Sequence, residues 1–414
     1  MHFMRDLSRL FGGTFLIAGT SIGAGMLALP VLTGLGGFVP SFFVYFSCWL
    51  FMSLTGLLFL EICLSLKEGA NIITMVRETL GKKAVVVAVF LYIFLFYFLI
   101  LAYIVGGGQF FFSLFDGTLS HSMCSFIFVL FLAPFVCSGA KAVGHLNNVM
   151  MLGLVVSYVI FVLFGYSFVK TEYLKSCNWT YALLAMPVAF TAFGYQGTVP
   201  SLIRYMNRDY RKIRFAIVVG SFIPLVIYVI WEWLILGIVP IGEPEGIIDT
   251  LKKGQSAIYP LQYYLGNPWL FAVSQAFAFF ALVTSFLGVS LGMKDFFADG
   301  LSRYHWKYEK PFLWGIVFIP PFLGSCFNSH IFLTALNYAG GIGCATLLGL
   351  FPILMAWKLR YQKKMKSDYR LWGGKLLLVI LLIFVVLELG LELAQEMGWG
   401  LTLPESESQV YSSM

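Results

Sequence analysis

Two stretches of this chain carry residues suited to holding a small charged molecule. The first, Gly19 to Pro30, reads GTSIGAGMLALP and sets Gly19, Gly23 and Gly25 around the hydroxyls of Thr20 and Ser21. It lies inside an apolar run from about residue 10 to 35, long enough for the roughly 20 residues that cross a bilayer core. Each glycine costs about 1 kcal/mol of helix propensity relative to alanine, so a helix that only anchored the chain would not be weakened at mid-depth. Gly19 and Gly23, four residues apart, fit close packing of two helices through small residues. They also fit a chemical reading, in which the helix unwinds and turns the freed N–H and C=O groups of Gly23, Ala24 and Gly25 toward a buried ligand. A membrane tolerates open backbone only where it lines a cavity.

The second stretch, Phe193 to Pro200, reads FGYQGTVP and repeats the pattern, with Gly194 and Gly197 among small polar groups and a proline at the end. Its candidate binding groups are Thr191, Phe193, Gly194, Tyr195 and Gln196. The N-terminus of a half-helix offers partial positive charge and free N–H groups to a carboxylate. Freed carbonyls suit an ammonium or a metal cation. An amino acid carries both groups, and Phe193 and Tyr195 would suit an aromatic side chain.

Ionisable residues within apolar runs are few, and each is costly there. Glu61, in LLFLEICLS, reads either as an interfacial carboxylate or as a group that bonds broken backbone and takes up a proton. Glu232, between Trp231 and Trp233, reads as a structural hydrogen-bonding group, and Glu388 and Glu392, one turn apart near the outer end of the last helix, as packing or interface groups. Lys141, His145 and His330 fall at loops. Thr284 and Ser285, in ALVTSFLGVSLG, either bond back to their own helix or complete a small-cation site. The seven cysteines show no C-x-x-C or Cys/His metal spacing, although Cys124 and Cys177 near one face leave a disulfide open. No metal or cofactor is implied. The absence of GxxxxGK[ST] argues against an ATP-driven machine, and the absence of HExxH, with only five scattered histidines, argues against an intramembrane enzyme. A channel would need a continuous polar stripe or charged rings, and none is present.

The elements that must position these residues are membrane helices. With 59% hydrophobic and only 11% charged residues, the chain cannot cover a soluble domain of 414 residues. Its net charge of +7 sits in short loops, so it signals topology and not nucleic acid. About eleven spans are expected, near 10–34, 37–63, 84–115, 122–142, 146–169, 179–203, 213–239, 268–293, 312–328, 331–357 and 375–398. The segment from Lys67 to Lys83 is amphipathic and suits the membrane surface. The first run, behind Arg5 and Arg9, reads as an uncleaved helix. All the Lys and Arg residues lie in one alternating set of loops except Lys170, Lys175, Lys252 and Lys253. That asymmetry predicts a cytoplasmic N-terminus and, with an odd helix count, a tail PESESQVYSSM outside. The second glycine-rich break lies five spans after the first, so it would open an inverted copy of the first five.

GTSIGAGMLALP with the preceding GGTFLIA, AFGYQGTVPSL, and VTSFLGVSLGMKDFFADG together resemble the first, sixth and eighth helices of the hydroxy and aromatic amino acid permease family, the tryptophan and tyrosine permeases of bacteria. That family belongs to the amino acid, polyamine and organocation superfamily. The resemblance implies an all-α polytopic fold like that of the leucine transporter, with helices 1 and 6 broken. One domain would hold inverted repeats over about 10–169 and about 179–357, an extra helix over about 375–398 and a polar tail over 399–414.

It further implies that Gly19 to Gly25 and Phe193 to Gly197 hold the carboxylate and amine of the substrate, that Tyr103 in LAYIVGGG caps the carboxylate, and that Glu61 braces the unwound sixth helix. In sodium-coupled relatives, hydroxyls at the positions of Thr284 and Ser285 join carbonyls at those of Gly19 and Ile22 around the ion. Family members are regarded as proton symporters. The lysine used by some proton-coupled relatives has no counterpart in the fifth span, from His145 to Val169. The expected function is alternating-access import of an aromatic amino acid, tyrosine favoured, by proton symport across the bacterial inner membrane. A tryptophan or serine/threonine substrate and sodium coupling are the alternatives.

Overall fold

The computed structural model describes residues 2–66, 71–301, 309–365 and 367–397, and every regular element among them is helical. In chain order the helices are α1 (His2–Ser21), α2 (Gly25–Thr33), α3 (Phe38–Ser65), α4 (Ile72–Thr79), α5 (Lys82–Leu114), α6 (His121–Ser138), α7 (Ala140–Gly165), α8 (Trp179–Leu183), α9 (Met186–Ala192) and α10 (Val199–Tyr205). They continue as α11 (Tyr210–Ile238), α12 (Ile247–Lys252), α13 (Leu261–Tyr264), α14 (Pro268–Leu301), α15 (Glu309–Phe327), α16 (Phe332–Tyr338), α17 (Phe351–Trp357) and α18 (Gly374–Glu396). A wide-turn π stretch, Ala339–Leu350, joins α16 to α17, and a second, Lys358–Gln362, follows α17.

Among the described residues, eight helical runs are long and apolar enough to cross a membrane, counting α16 through Gln362 as one. The pair α1 and α2 makes a further span bent by 53°. The shorter apolar α15 and the trio α8–α10 occupy the remaining two of the eleven stretches expected from sequence. Large apolar side chains such as Phe15, Phe90, Phe131, Leu152 and Leu376 stay exposed on the outside of the bundle. Lipid is the solvent that such a surface suits.

Local chemistry sets the boundaries. Gly139 has a φ of +98°, a conformation that only glycine adopts readily, and it separates α6 from α7. The fifth span therefore begins at Ala140 and not near 146. Lys141 and His145, expected in a loop, are exposed on the first turns of α7, with His145 Nδ1 2.9 Å from the Lys141 carbonyl. The Asp209 carboxylate caps α11 by accepting from the N–H groups of Arg211 and Lys212. The amphipathic segment forms α4, where the Asn71 side chain accepts from Thr74 N–H. Residues 67–70 and the polar tail lie outside the described residues. Cys124 is buried, Cys177 is exposed, and both are free thiols.

Glu232 is buried between helices, accepting hydrogen bonds from Thr33 (2.7 Å) and Tyr45 (2.6 Å), so it ties α11 to α2 and α3. The π stretch brings backbones together. A methyl at Gly340 would overlap the Pro187 carbonyl of α9, and one at Gly341 would press on the Glu392 carboxyl of α18.

Candidate functional site

α1 stops at Ser21 and α2 starts at Gly25, which leaves Ile22, Gly23 and Ala24 as the break. Three glycines in seven residues make this the cheapest place for the helix to open. Ser285 of α14 fills the gap from the side, its hydroxyl accepting from the Ala24 N–H at 2.9 Å. A methyl at Gly23 would overlap that hydroxyl. The Gly23 N–H itself has no acceptor among the described residues. Tyr103 of α5 is buried and lies near Ser285, which brings a phenol close to the same break.

α9 ends at Ala192 and the chain restarts through a single 3₁₀ turn at Gln196–Thr198 before α10. The two breaks touch: a methyl on Gly25 would sit 3.1 Å from the Ala192 Cα. Tyr228 of α11, fully buried, spans them. Its hydroxyl lies 2.6 Å from the Ser21 carbonyl and 2.9 Å from the Ala192 carbonyl, the acceptors left at the ends of α1 and α9. The Phe193 ring packs on Tyr228 with centroids 5.1 Å apart. The group that converges is thus Ser21, Gly23, Ala24, Gly25, Ala192, Phe193, Tyr103, Tyr228 and Ser285.

Several other candidates turn elsewhere. The Thr20 hydroxyl is exposed and bonds back to the Leu16 carbonyl at 2.7 Å, while Gly19 sits beside Met151 of α7. The Thr191 hydroxyl donates to the Leu336 carbonyl of α16 at 2.9 Å. The Tyr195 side chain points into α3, donating to the Met52 carbonyl at 3.3 Å over the bare face of Gly56. Gln196 is consumed by the fold: its Oε1 accepts from Tyr195 N–H, and its Nε2 donates to the Met52 carbonyl and the Thr55 hydroxyl. Gly194 lies beside the Thr191 carbonyl. The Thr284 hydroxyl donates to the Phe280 and Ala281 carbonyls of its own helix, whereas its neighbour Ser285 faces the break.

A chain with two interrupted helices back to back, each offering unspent backbone groups, has the architecture of a secondary transporter's central site. Residues 7–391 match the tryptophan/tyrosine permease family. The chain belongs to that family. The tryptophan-specific transport protein of Haemophilus influenzae is 32% identical over 94% of this chain and 97% of its own length. The tyrosine-specific transport system 1 of the same organism is 30% identical over 95% and 98%. The crystal structure of MhsT in complex with L-phenylalanine superposes with a TM-score of 0.64 at 16% identity, covering 91% of this chain and 98% of that one. The expected all-α transporter fold is therefore the fold of this permease, and it is a multi-pass membrane protein of a transport family, not an enzyme.

Glu61 of the permease does not meet the second break. Both of its carboxylate oxygens accept from Arg360, at 2.6 Å from Nε and 2.5 Å from Nη2, and one also accepts from the Leu371 N–H at 2.8 Å. None of its partners comes from residues 193–198. Six residues, or about 9 Å of helix rise, separate it from Thr55. The contact expected of Glu61, a polar brace from α3 to the opened sixth helix, is made by Thr55 and the Met52 carbonyl through Gln196.

Sequence reasoning missed Tyr228 and Arg360. A lone tyrosine in the apolar run VVGSFIPLVIYVIW was the available signal for the first, since a buried phenol needs an acceptor. Arg360 was counted among loop charges because its run of basic neighbours hides a residue that folds inward.

Proposed function

We propose that this permease imports an aromatic amino acid across the bacterial inner membrane by proton symport with alternating access. The abutment of the two opened helices at Gly25 and Ala192, bridged by Tyr228, carries the reading. In it the substrate carboxylate meets the start of α2, near the Gly23 N–H and Tyr103, and the ammonium meets the carbonyl ends of α1 and α9. Phe193 lies beside that position and suits an aromatic ring. Relatives named for tryptophan and for tyrosine resemble the chain to nearly the same degree, so the substrate class is aromatic, with tyrosine and tryptophan as its two candidates.

Counterflow in proteoliposomes tests the class. Vesicles loaded with unlabelled tyrosine or tryptophan should draw in the labelled compound, and serine, threonine or glutamine in their place should not. Efficient counterflow with serine and none with either aromatic compound would remove the aromatic reading. Uptake should follow an imposed pH gradient in sodium-free buffer; a strict need for sodium at fixed pH would remove proton symport.

The reading includes an orientation, with the N-terminus and the basic loops cytoplasmic and the end of α18 outside. It rests on the distribution of Lys and Arg. A C-terminal reporter active only in the cytoplasm should stay silent in this permease, and a bright one would reverse the topology.

A further inference from the structure

One face of α18 carries Glu388, Glu392 and Glu396 at four-residue intervals, so the three carboxyls follow one another along the helix. The outermost, Glu396, is exposed and accepts from the Tyr338 hydroxyl at 3.0 Å. It lines a cleft of about 510 Å³ together with Gln395, Asn337, Tyr338, Leu333 and His330. Glu392 is 1% exposed and accepts from Asn337 Nδ2 at 3.3 and 3.2 Å, in space left by the missing side chain of Gly341. Glu388 is also 1% exposed, eight residues and about 12 Å of helix rise below Glu396.

Among the described residues, neither oxygen of Glu388 has a hydrogen-bond partner. Its titratable neighbours are Glu392 on its own helix, Cys48 of α3 and Cys344 of the π stretch, and no cation is among them. The other elements packed on α18, α9 and α17, carry no titratable residue, and α9 sets the apolar Phe190 against Phe384. A bare carboxylate in such surroundings costs several kcal/mol or more, while the neutral acid costs far less. Buried polar atoms without partners continue toward the cleft, at Asn337 Oδ1 and Gln395 Nε2. The fold thus supplies a file of carboxyl and amide groups running from the cleft to a carboxyl that no described residue neutralises.

We propose that Glu388 is a proton-binding group of the transport cycle, loaded from the cleft at the Glu396 end by way of Glu392. A hydronium ion in the cleft gives its proton to the Glu392 carboxylate and is left as water, and Glu392 passes that proton to the Glu388 carboxylate, one O–H bond breaking as the next forms. The proposal rests on the proton-symport reading and on the orientation given above, which makes the cleft the outer mouth. It assigns coupling to α18, the helix outside the two repeats. Glu388 differs from Glu61 in having no donor that would hold it as an anion.

The test uses the full chain in proteoliposomes, with labelled tyrosine and tryptophan as probes, for wild type and Glu388→Gln. Wild type should accumulate the labelled probe about tenfold for one proton per substrate under a gradient of about one pH unit, and a protonophore should abolish this. Glu388→Gln should keep counterflow within about twofold of wild type and lose accumulation, because glutamine keeps the shape but carries no exchangeable acid proton. Accumulation by Glu388→Gln equal to wild type overturns the inference and leaves proton symport standing. Wild type indifferent to the pH gradient overturns both. If the variant gives no counterflow, a hydrophobic carbodiimide, which reacts with protonated carboxyls, decides on the wild-type protein. Peptide mapping should find Glu388 modified at acidic pH and less so at alkaline pH; an unmodified Glu388 at acidic pH overturns the inference.

Discussion

Gly23→Ala is expected to cut transport by more than about tenfold while the protein still reaches the membrane, because the added methyl has nowhere to go. It would overlap the Ser285 hydroxyl that accepts the Ala24 N–H. Overpacking of this kind costs about 1–3 kcal/mol where neighbours are fixed, and the neighbour here is one short side chain on a long helix. The test is a double-variant cycle. Ser285→Ala alone leaves the Ala24 N–H without its acceptor, a loss of about 1–3 kcal/mol for a buried donor. Combined with Gly23→Ala it removes the overlap, so the pair should transport better than Gly23→Ala alone and worse than wild type. Losses that simply add in the double variant would show that Gly23 acts by exposing backbone to substrate and not by making room for α14.

Glu61→Gln is expected to lower the amount of folded permease sharply, ahead of any effect on coupling. Glu61 and Arg360 are buried together, with side chains 5% and 3% exposed, and bond through two N–H groups. Arg360 also donates to the Leu371 carbonyl, so the pair clamps α3 to the segment that leads into α18. Removing one member of a buried pair leaves an uncompensated charge and costs about 3–5 kcal/mol. Replacing both by apolar side chains of similar volume is often neutral. Membrane abundance and detergent melting should therefore fall for Glu61→Gln and for Arg360→Met, and recover in large part for Glu61→Leu combined with Arg360→Met. Normal abundance of Glu61→Gln with loss of pH-driven accumulation would return Glu61 to the role of proton carrier.

The broken helices were readable because glycine acts locally. Gly19, Gly23 and Gly25 weaken a helix whatever surrounds them, and the echo at Gly194 and Gly197 needed no knowledge of neighbours. The positions of the spans followed from hydropathy for the same reason. Partners were less readable. Glu61 and Arg360 are 299 residues apart in sequence, and no local pattern joins them. Tyr195 and Gln196 sit at the second break as expected, yet which way each turns depends on Gly56, Met52 and Thr55 of another helix. Glu388 illustrates the same limit: its i, i+4 relation to Glu392 was visible, but its lack of any donor is a property of the packed bundle.

The Tyr228 hydroxyl has one hydrogen and two carbonyls within reach. A single donor shared between Ser21 and Ala192 leaves each acceptor short of a full bond, so the pair retains electron density that an incoming ammonium would complete. The sharing also ties the two segments as a rope ties climbers. If α1 swings away from α9, the hydrogen can follow only one of them, and the other carbonyl is left bare at a cost of about 1–3 kcal/mol. Either α1 and α9 travel together, or their parting waits for a ligand or water that supplies the missing donor. The phenol thereby sets a threshold on opening that a phenylalanine at the same place would not.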